Sequence, residues 1–154
     1  MSGVGLGADG RRRALVAAGG AWLLGVTPLP VSASPETLAA AIAAVTGGKP
    51  LQDGGLVLEL PRIADDGNVV AMTVRADSPQ TAEDHVRVLH VFSEQNPVTA
   101  LARFHLGPVC PRAEVGTRIR LARTQRVVAV AEMSDGSFRS AVAQVEVTIS
   151  ACGD

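Results

Sequence analysis

A chain of 154 residues, 47% apolar, with 14 Lys plus Arg against 15 Asp plus Glu, has the length and hydrophobicity for one folded domain and is not a disordered polypeptide. A net charge of −1 supplies no long-range attraction to nucleic acid. One Trp, no Tyr and three Phe make a poor surface for stacking bases or sugars.

Arg11, Arg12 and Arg13 precede an uncharged run from Ala14 to Val26, too short for the roughly 20 residues of a membrane span. Pro28 and Pro30 end it, and Val31-Ser32-Ala33 offers small side chains where signal peptidase reads. Cleavage is expected after Ala33, making residues 1–33 an export signal and leaving 121 residues of net charge −3. Consecutive arginines before a weakly hydrophobic Ala/Gly-rich core point to the twin-arginine route, an address and not an anchor; an ordinary secretory signal is the alternative. Neither cysteine stands at the cleavage site, so no lipid or other membrane anchor is expected.

The domain proper is expected over residues 34–149. Ser34 can cap a helix, Pro35 fits its first turn and Glu36 suits its positive end. Leu38, Ile42 and Val45 follow on one face, and Gly47, Gly48 and Pro50 stop the helix. From residue 55 the period changes to two. Leu56, Leu58 and Leu60 alternate with Val57 and Glu59; Val70, Met72, Val74 and Ala76 with Thr73 and Arg75; Val86, Val88 and Phe92 with Arg87 and Val91. Ala102, Phe104 and Leu106 alternate with Arg103 and His105, and Thr117, Ile119 and Leu121 with Arg118 and Arg120. A longer pair runs from Arg126 to Met133 and from Phe138 to Ile149, with Ala141, Ala143, Val145, Val147 and Ile149 facing in and Asp135-Gly136 as the hairpin turn. About seven strands separated by Asp/Gly/Asn/Pro turns predict a mainly β immunoglobulin-like sandwich with one short N-terminal helix. A parallel α/β fold would need crossover helices that the sequence lacks.

His85, His90 and His105 lack metal-ligand spacing and read as isolated surface or strand-end residues, so no metal site is expected. No nucleophile elbow, phosphate loop or Ser/His/Asp pattern is present. Asp65-Asp66 near Glu59 lacks the further ligands of a calcium loop and reads as a turn. Arg75, Arg87, Arg103, Arg118 and Arg120 point outward, either as a basic face or as scattered solvated arginines. Cys110, in Gly107-Pro108-Val109-Cys110-Pro111, and Cys152, third from the end, are the only two cysteines. An exported chain favours pairing them. The competing expectation is that residues 150–154 form a flexible arm, with Ala151 and Gly153 flanking a free Cys152 that reaches roughly 13 to 17 Å from the fold.

In order along the chain stand Pro61-Arg62-Ile63-Ala64-Asp65-Asp66-Gly67-Asn68-Val69-Val70, Asp77-Ser78-Pro79, Phe92-Ser93-Glu94-Gln95-Asn96-Pro97, Thr117-Arg118-Ile119-Arg120-Leu121-Ala122, Val130-Ala131-Glu132 with Ser134-Asp135-Gly136, and Val145-Glu146-Val147-Thr148 before a terminal Cys-Gly. This series resembles the SoxY family, the sulfur-carrier subunits of the periplasmic thiosulfate-oxidising system. The resemblance implies a periplasmic location and a sandwich paired with a small β protein, SoxZ. It also implies covalent substrate attachment at the position of Cys152. In the family a c-type cytochrome enzyme joins thiosulfate to that cysteine, a hydrolase releases sulfate and a sulfur dehydrogenase oxidises the remainder. The carrier itself is not an enzyme and needs no cofactor. The tail departs from the family's Gly-Gly-Cys-Gly-Gly: Ser150-Ala151 restrict the backbone more than glycines, and Asp154 adds a carboxylate that disfavours the thiolate. Cys110 is also outside the family pattern. The alternative function is an exported structural or binding module with a Cys110–Cys152 disulfide and no carrier role.

Overall fold

A computed structural model describes residues 35–149. The export signal, the expected cleavage site and the tail residues 150–154, Cys152 among them, lie outside the described residues.

The predicted helix is α1 (Pro35–Thr46). It ends as its glycines dictate: Gly47 and Gly48 adopt φ of 62° and 77°, and the Gly48 amide donates back to the Ala43 carbonyl at 3.3 Å, satisfying an orphan carbonyl of the last turn. Nine strands follow: β1 (Leu51–Asp53), β2 (Leu56–Glu59), β3 (Ile63–Ala64), β4 (Val70–Ala76), β5 (Val86–Ser93), β6 (Ala100–His105), β7 (Glu114–Ile119), β8 (Gln125–Met133) and β9 (Phe138–Val147). The larger sheet has the order β1-β9-β8-β5-β6, with β3 added to β9; the smaller is β2-β4-β7. Every long pairing is antiparallel, while the short β1 and β3 run parallel to β9.

The two sheets close over one core. Leu56, Val70, Met72 and Val74 from the smaller sheet meet Val86, Leu89, Val91, Val127, Ala129 and Val145 from the larger. The fold is thus the mainly β sandwich expected. A second core lies on the other face of the larger sheet, where Leu38, with Ala41, Ile42 and Val45 beside it, covers Phe92, Val128, Val130 and Phe138. Because α1 covers that face, β5 and β8 are buried on both sides. Val91 and Leu89 are as inaccessible as Phe92, which corrects the outward placement of Val91. A register shift between Val91 and Phe92 further breaks the alternation.

Two other boundaries differ from expectation. β9 ends at Val147, and Ile149, expected to face in, is 63% exposed; beyond the strand its carbonyl accepts from the Gly67 amide of a loop, so the alternation of β9 no longer sets its direction. The Asp135-Gly136 turn is a three-residue loop with Gly136 at φ 79°. Gly136 donates to the Met133 carbonyl and Met133 to the Ser137 carbonyl, both at 3.0 Å, the geometry of a type I turn with a glycine bulge.

Candidate functional site

The described structure ends three residues before Cys152, and the way it ends decides where that thiol can go. β9 is held on successive residues up to Ile149. The Glu146 amide donates to the Arg62 carbonyl at 2.9 Å, Thr148 to Ala64 at 3.0 Å, and Gly67 to the Ile149 carbonyl at 2.9 Å. The Val147 amide donates to Thr124 Oγ1 at 2.9 Å, and Thr148 Oγ1 to the Asp65 carbonyl at 2.9 Å. Gly67 is tied in turn to the end of β7, since Leu121 donates to its carbonyl at 2.8 Å. The turn reading of Asp65-Asp66 agrees with this: Asp66 Oδ1 accepts from the Asn68 amide and side chain.

Beneath this root a buried amide clasp joins two loops. Asn96 Nδ2 donates to the Arg120 carbonyl at 2.7 Å, while its Oδ1 accepts from the Ala122 amide and from Gln125 Nε2, both at 2.8 Å. Gln125 Oε1 accepts from the Gln95 amide at 2.8 Å. In the sequence Gln95-Asn96-Pro97 reads as turn residues within one of the stretches that carry the family resemblance, and the clasp is not read from them. The signal was a short amide-rich loop before an edge strand, but its partners 24 to 29 residues away require the tertiary pairing to be known.

Cys110 lies at the other end of the sandwich. It is half-buried and its thiol is free. Its amide donates to the Gly107 carbonyl at 3.0 Å, and Leu106 donates to Arg87 near the start of β5. Gln80 Nε2 also reaches Gly107 at 3.4 Å. Between this end and the tail root runs the β4–β7 ladder, paired from Arg75 with Glu114 to Val70 with Ile119. Its five steps span about 17 Å at some 3.3 Å per residue. Three extended residues beyond Ile149 cover about 11 Å at most, and a disulfide holds its Cα atoms within about 7 Å. A bridge between Cys110 and Cys152 of one chain therefore needs the tail extended along nearly the whole of this ladder.

The histidines correct another expectation. They are not isolated: His85 and His90 on and before β5 and His105 on β6 line one groove of about 630 Å³ together with Arg87, Arg103 and Glu132. The antiparallel register places Val88 opposite His105 and His90 opposite Arg103, which no spacing within one strand reveals. His90 is buried, 5% exposed, and stacks on Phe92 with ring centroids 6.1 Å apart. Burial first, then the Arg103 charge, holds its pKa below the ordinary 6.5, against a smaller upward pull from Glu132. Among the described residues no group of three or more His, Cys, Asp or Glu side chains is placed to hold a metal ion. The outward arginines divide between sheets and do not form one basic face: Arg75, paired with Glu59 at 3.5 Å, and Arg118 belong to the smaller sheet, Arg87 and Arg103 to the larger.

Residues 42–152 match the family model described as sulfur oxidation protein SoxY. Among solved structures, the chain is similar to the sulfur carrier protein SoxY from Chlorobium limicola f thiosulfatophilum, at 32% identity and TM-score 0.63, covering 75% of this chain and all of that one. Two others share the fold alone. One is a superoxide reductase (neelaredoxin) from Ignicoccus hospitalis, at 17% identity and TM-score 0.55, over 71% of this chain and 86% of that one. The other is a putative superoxide reductase from Thermotoga maritima, at 19% identity and TM-score 0.55, over 63% and 93%. No curated protein matches the chain.

Proposed function

The chain belongs to the SoxY family, and from that premise we propose that it is an exported sulfur carrier whose Cys152 holds thiosulfate-derived sulfur covalently in the periplasm. The observation that carries this reading is the anchoring of β9 through Ile149, with a thiol three residues further on. A rigid root followed by a short run of small residues delivers sulfur to the active sites of other proteins while the sandwich stays outside. The carrier performs no turnover of its own.

The chemistry assigned to Cys152 balances as follows. Its thiol and thiosulfate form one S–S bond, releasing one proton and two electrons, and a c-type cytochrome enzyme accepts the electrons. Water then attacks the terminal sulfur and sulfate leaves, with one sulfane sulfur retained on Cys152. A sulfur dehydrogenase oxidises that remainder. A SoxZ-like small β protein is the expected heterodimer partner. The 1–33 leader, by the twin-arginine route, brings the chain to this compartment.

The competing reading, a binding module pinned by a Cys110–Cys152 disulfide, would need the tail extended along nearly the whole β4–β7 ladder. Mass spectrometry under non-reducing conditions tests the choice. Loading with thiosulfate and the partner cytochrome should add about 112 mass units, one S2O3 group, to the thiol form and nothing to Cys152→Ser. A chain always two mass units light, bridged in every condition, would overturn the carrier reading.

A further inference from the structure

The groove at the end of the sandwich remote from the tail has no part in the carrier chemistry, yet it gathers all three histidines of the sequence. We propose that it is a binding site for a small inorganic dianionic oxyanion of the sulfate or thiosulfate type, held by Arg103 with His85 and His105 at its rim and His90 on its floor.

Charge comes first. Arg87 is neutralised by Glu132 at 3.2 Å, which leaves Arg103, exposed and with no ion-pair partner among the described residues, as the uncompensated cation. A positively charged wall repels a metal ion and attracts an anion. A guanidinium also matches an oxyanion with paired donors. A register shift between Val86 and Val88 interrupts the alternation of β5, so Arg87 and Val88 both line the groove. Donor supply comes next. His85 Nδ1 lies 3.0 Å from the Thr81 carbonyl; a carbonyl only accepts, so a proton sits on Nδ1 and Nε2 is not used in that bond. His90 Nε2 is buried without a hydrogen-bond partner. A buried ring nitrogen with no partner is uncommon in a settled core, and it faces the problem a ligand beside Arg103 would relieve. The carbonyl end of α1, near Ala44 and Val45 of the lining, opposes an anion, with the carbonyls of Ala43 and Thr46 already engaged by the Gly48 and Lys49 amides.

Binding in this groove is independent of the carrier assignment, because none of its lining residues belongs to the tail or to the residues that hold its root. The test uses the chain carrying Cys152→Ser, with histidine and backbone NMR shifts followed during titration with sodium sulfate and, separately, sodium thiosulfate. Chloride balances the ionic strength, at about pH 6.5. The expected result is saturable shifts confined to His85, His90, Arg103 and His105, with the histidine titrations moved upward by the bound anion. In Arg103→Gln the affinity should fall roughly ten-fold or more, since a charge-assisted contact is lost. Arg103 is on the surface, so this variant keeps the fold, and unchanged shifts elsewhere verify it. Shifts linear in salt, or saturable shifts untouched by Arg103→Gln, would overturn the site. So would histidine shifts produced by zinc ion and not by either anion. Loss of the thiosulfate adduct at Cys152 in the unsubstituted chain, with sulfate still saturating the groove, would refute the carrier reading alone.

Discussion

Replacing Asn96 by alanine tests the physical logic of the tail root. Asn96 is 7% exposed and makes three hydrogen bonds, to the Arg120 carbonyl, the Ala122 amide and Gln125 Nε2. Each is worth about 1 kcal/mol net, and stranding a buried donor costs about 1–3 kcal/mol. The Ala122 amide has no other partner here, whereas Gln125 Nε2 retains the Arg123 carbonyl at 3.1 Å. The expected loss is therefore about 3 kcal/mol, or roughly 10 °C in Tm for a domain of this size. Urea unfolding followed by circular dichroism reads it directly. Loss of the clasp should leave attachment chemistry at Cys152 intact at temperatures where the variant is folded, because Val147, Thr148 and Ile149 are held by Thr124, Ala64 and Gly67. A destabilisation under about 0.5 kcal/mol would refute the reasoning that a fully paired amide network ties these loops together.

Other outcomes follow from the same geometry. The folded state holds His90 below its ordinary pKa, so the unfolded chain takes up its proton first. Stability should fall as pH drops below about 6.5 and level off below the folded-state pKa. Unfolding curves between pH 7 and 5 should be flatter in His90→Phe, whose ring can keep the stack on Phe92. Glu94 is paired through two contacts with Arg126, at 2.7 and 3.0 Å, which hold its carboxyl below the ordinary value. That stabilisation is present above about pH 4.5 and is lost as pH falls through the depressed pKa, so Arg126→Gln should narrow the acid-unfolding difference. Cys110→Ser should leave both stability and sulfur loading unchanged, checked by Tm and adduct yield. Asp154→Asn should lower the Cys152 thiol pKa, read as faster alkylation by iodoacetamide near pH 7, because a nearby negative charge is removed.

Much of the architecture was legible because the residues repeat it locally. The Ser-Pro-Glu start and Gly-Gly stop framed α1, and the alternation of Val70, Met72, Val74 and Ala76 marked β4, half of which faces solvent. Legibility failed where a strand is covered on both sides: nothing in Val86-Arg87-Val88-Leu89-His90-Val91-Phe92 says that a helix seals the second face. The two- and three-residue strands β3 and β1 were missed because so short a pairing leaves no period to read. Cys152 was singled out from its place in the sequence and lies outside the described residues. The histidine groove was not, because cross-strand register, set by hydrogen bonds between β5 and β6, brings His90 beside Arg103 and Val88 beside His105.

The central claim is that other proteins load and unload sulfur on Cys152. Intact-mass measurement of the purified chain after incubation with thiosulfate and its conjugating cytochrome addresses it most directly. The account predicts a single added S2O3 group, removed by a thiol reductant and absent from Cys152→Ser. An unmodified mass under those conditions, or an adduct that persists in Cys152→Ser, would contradict it.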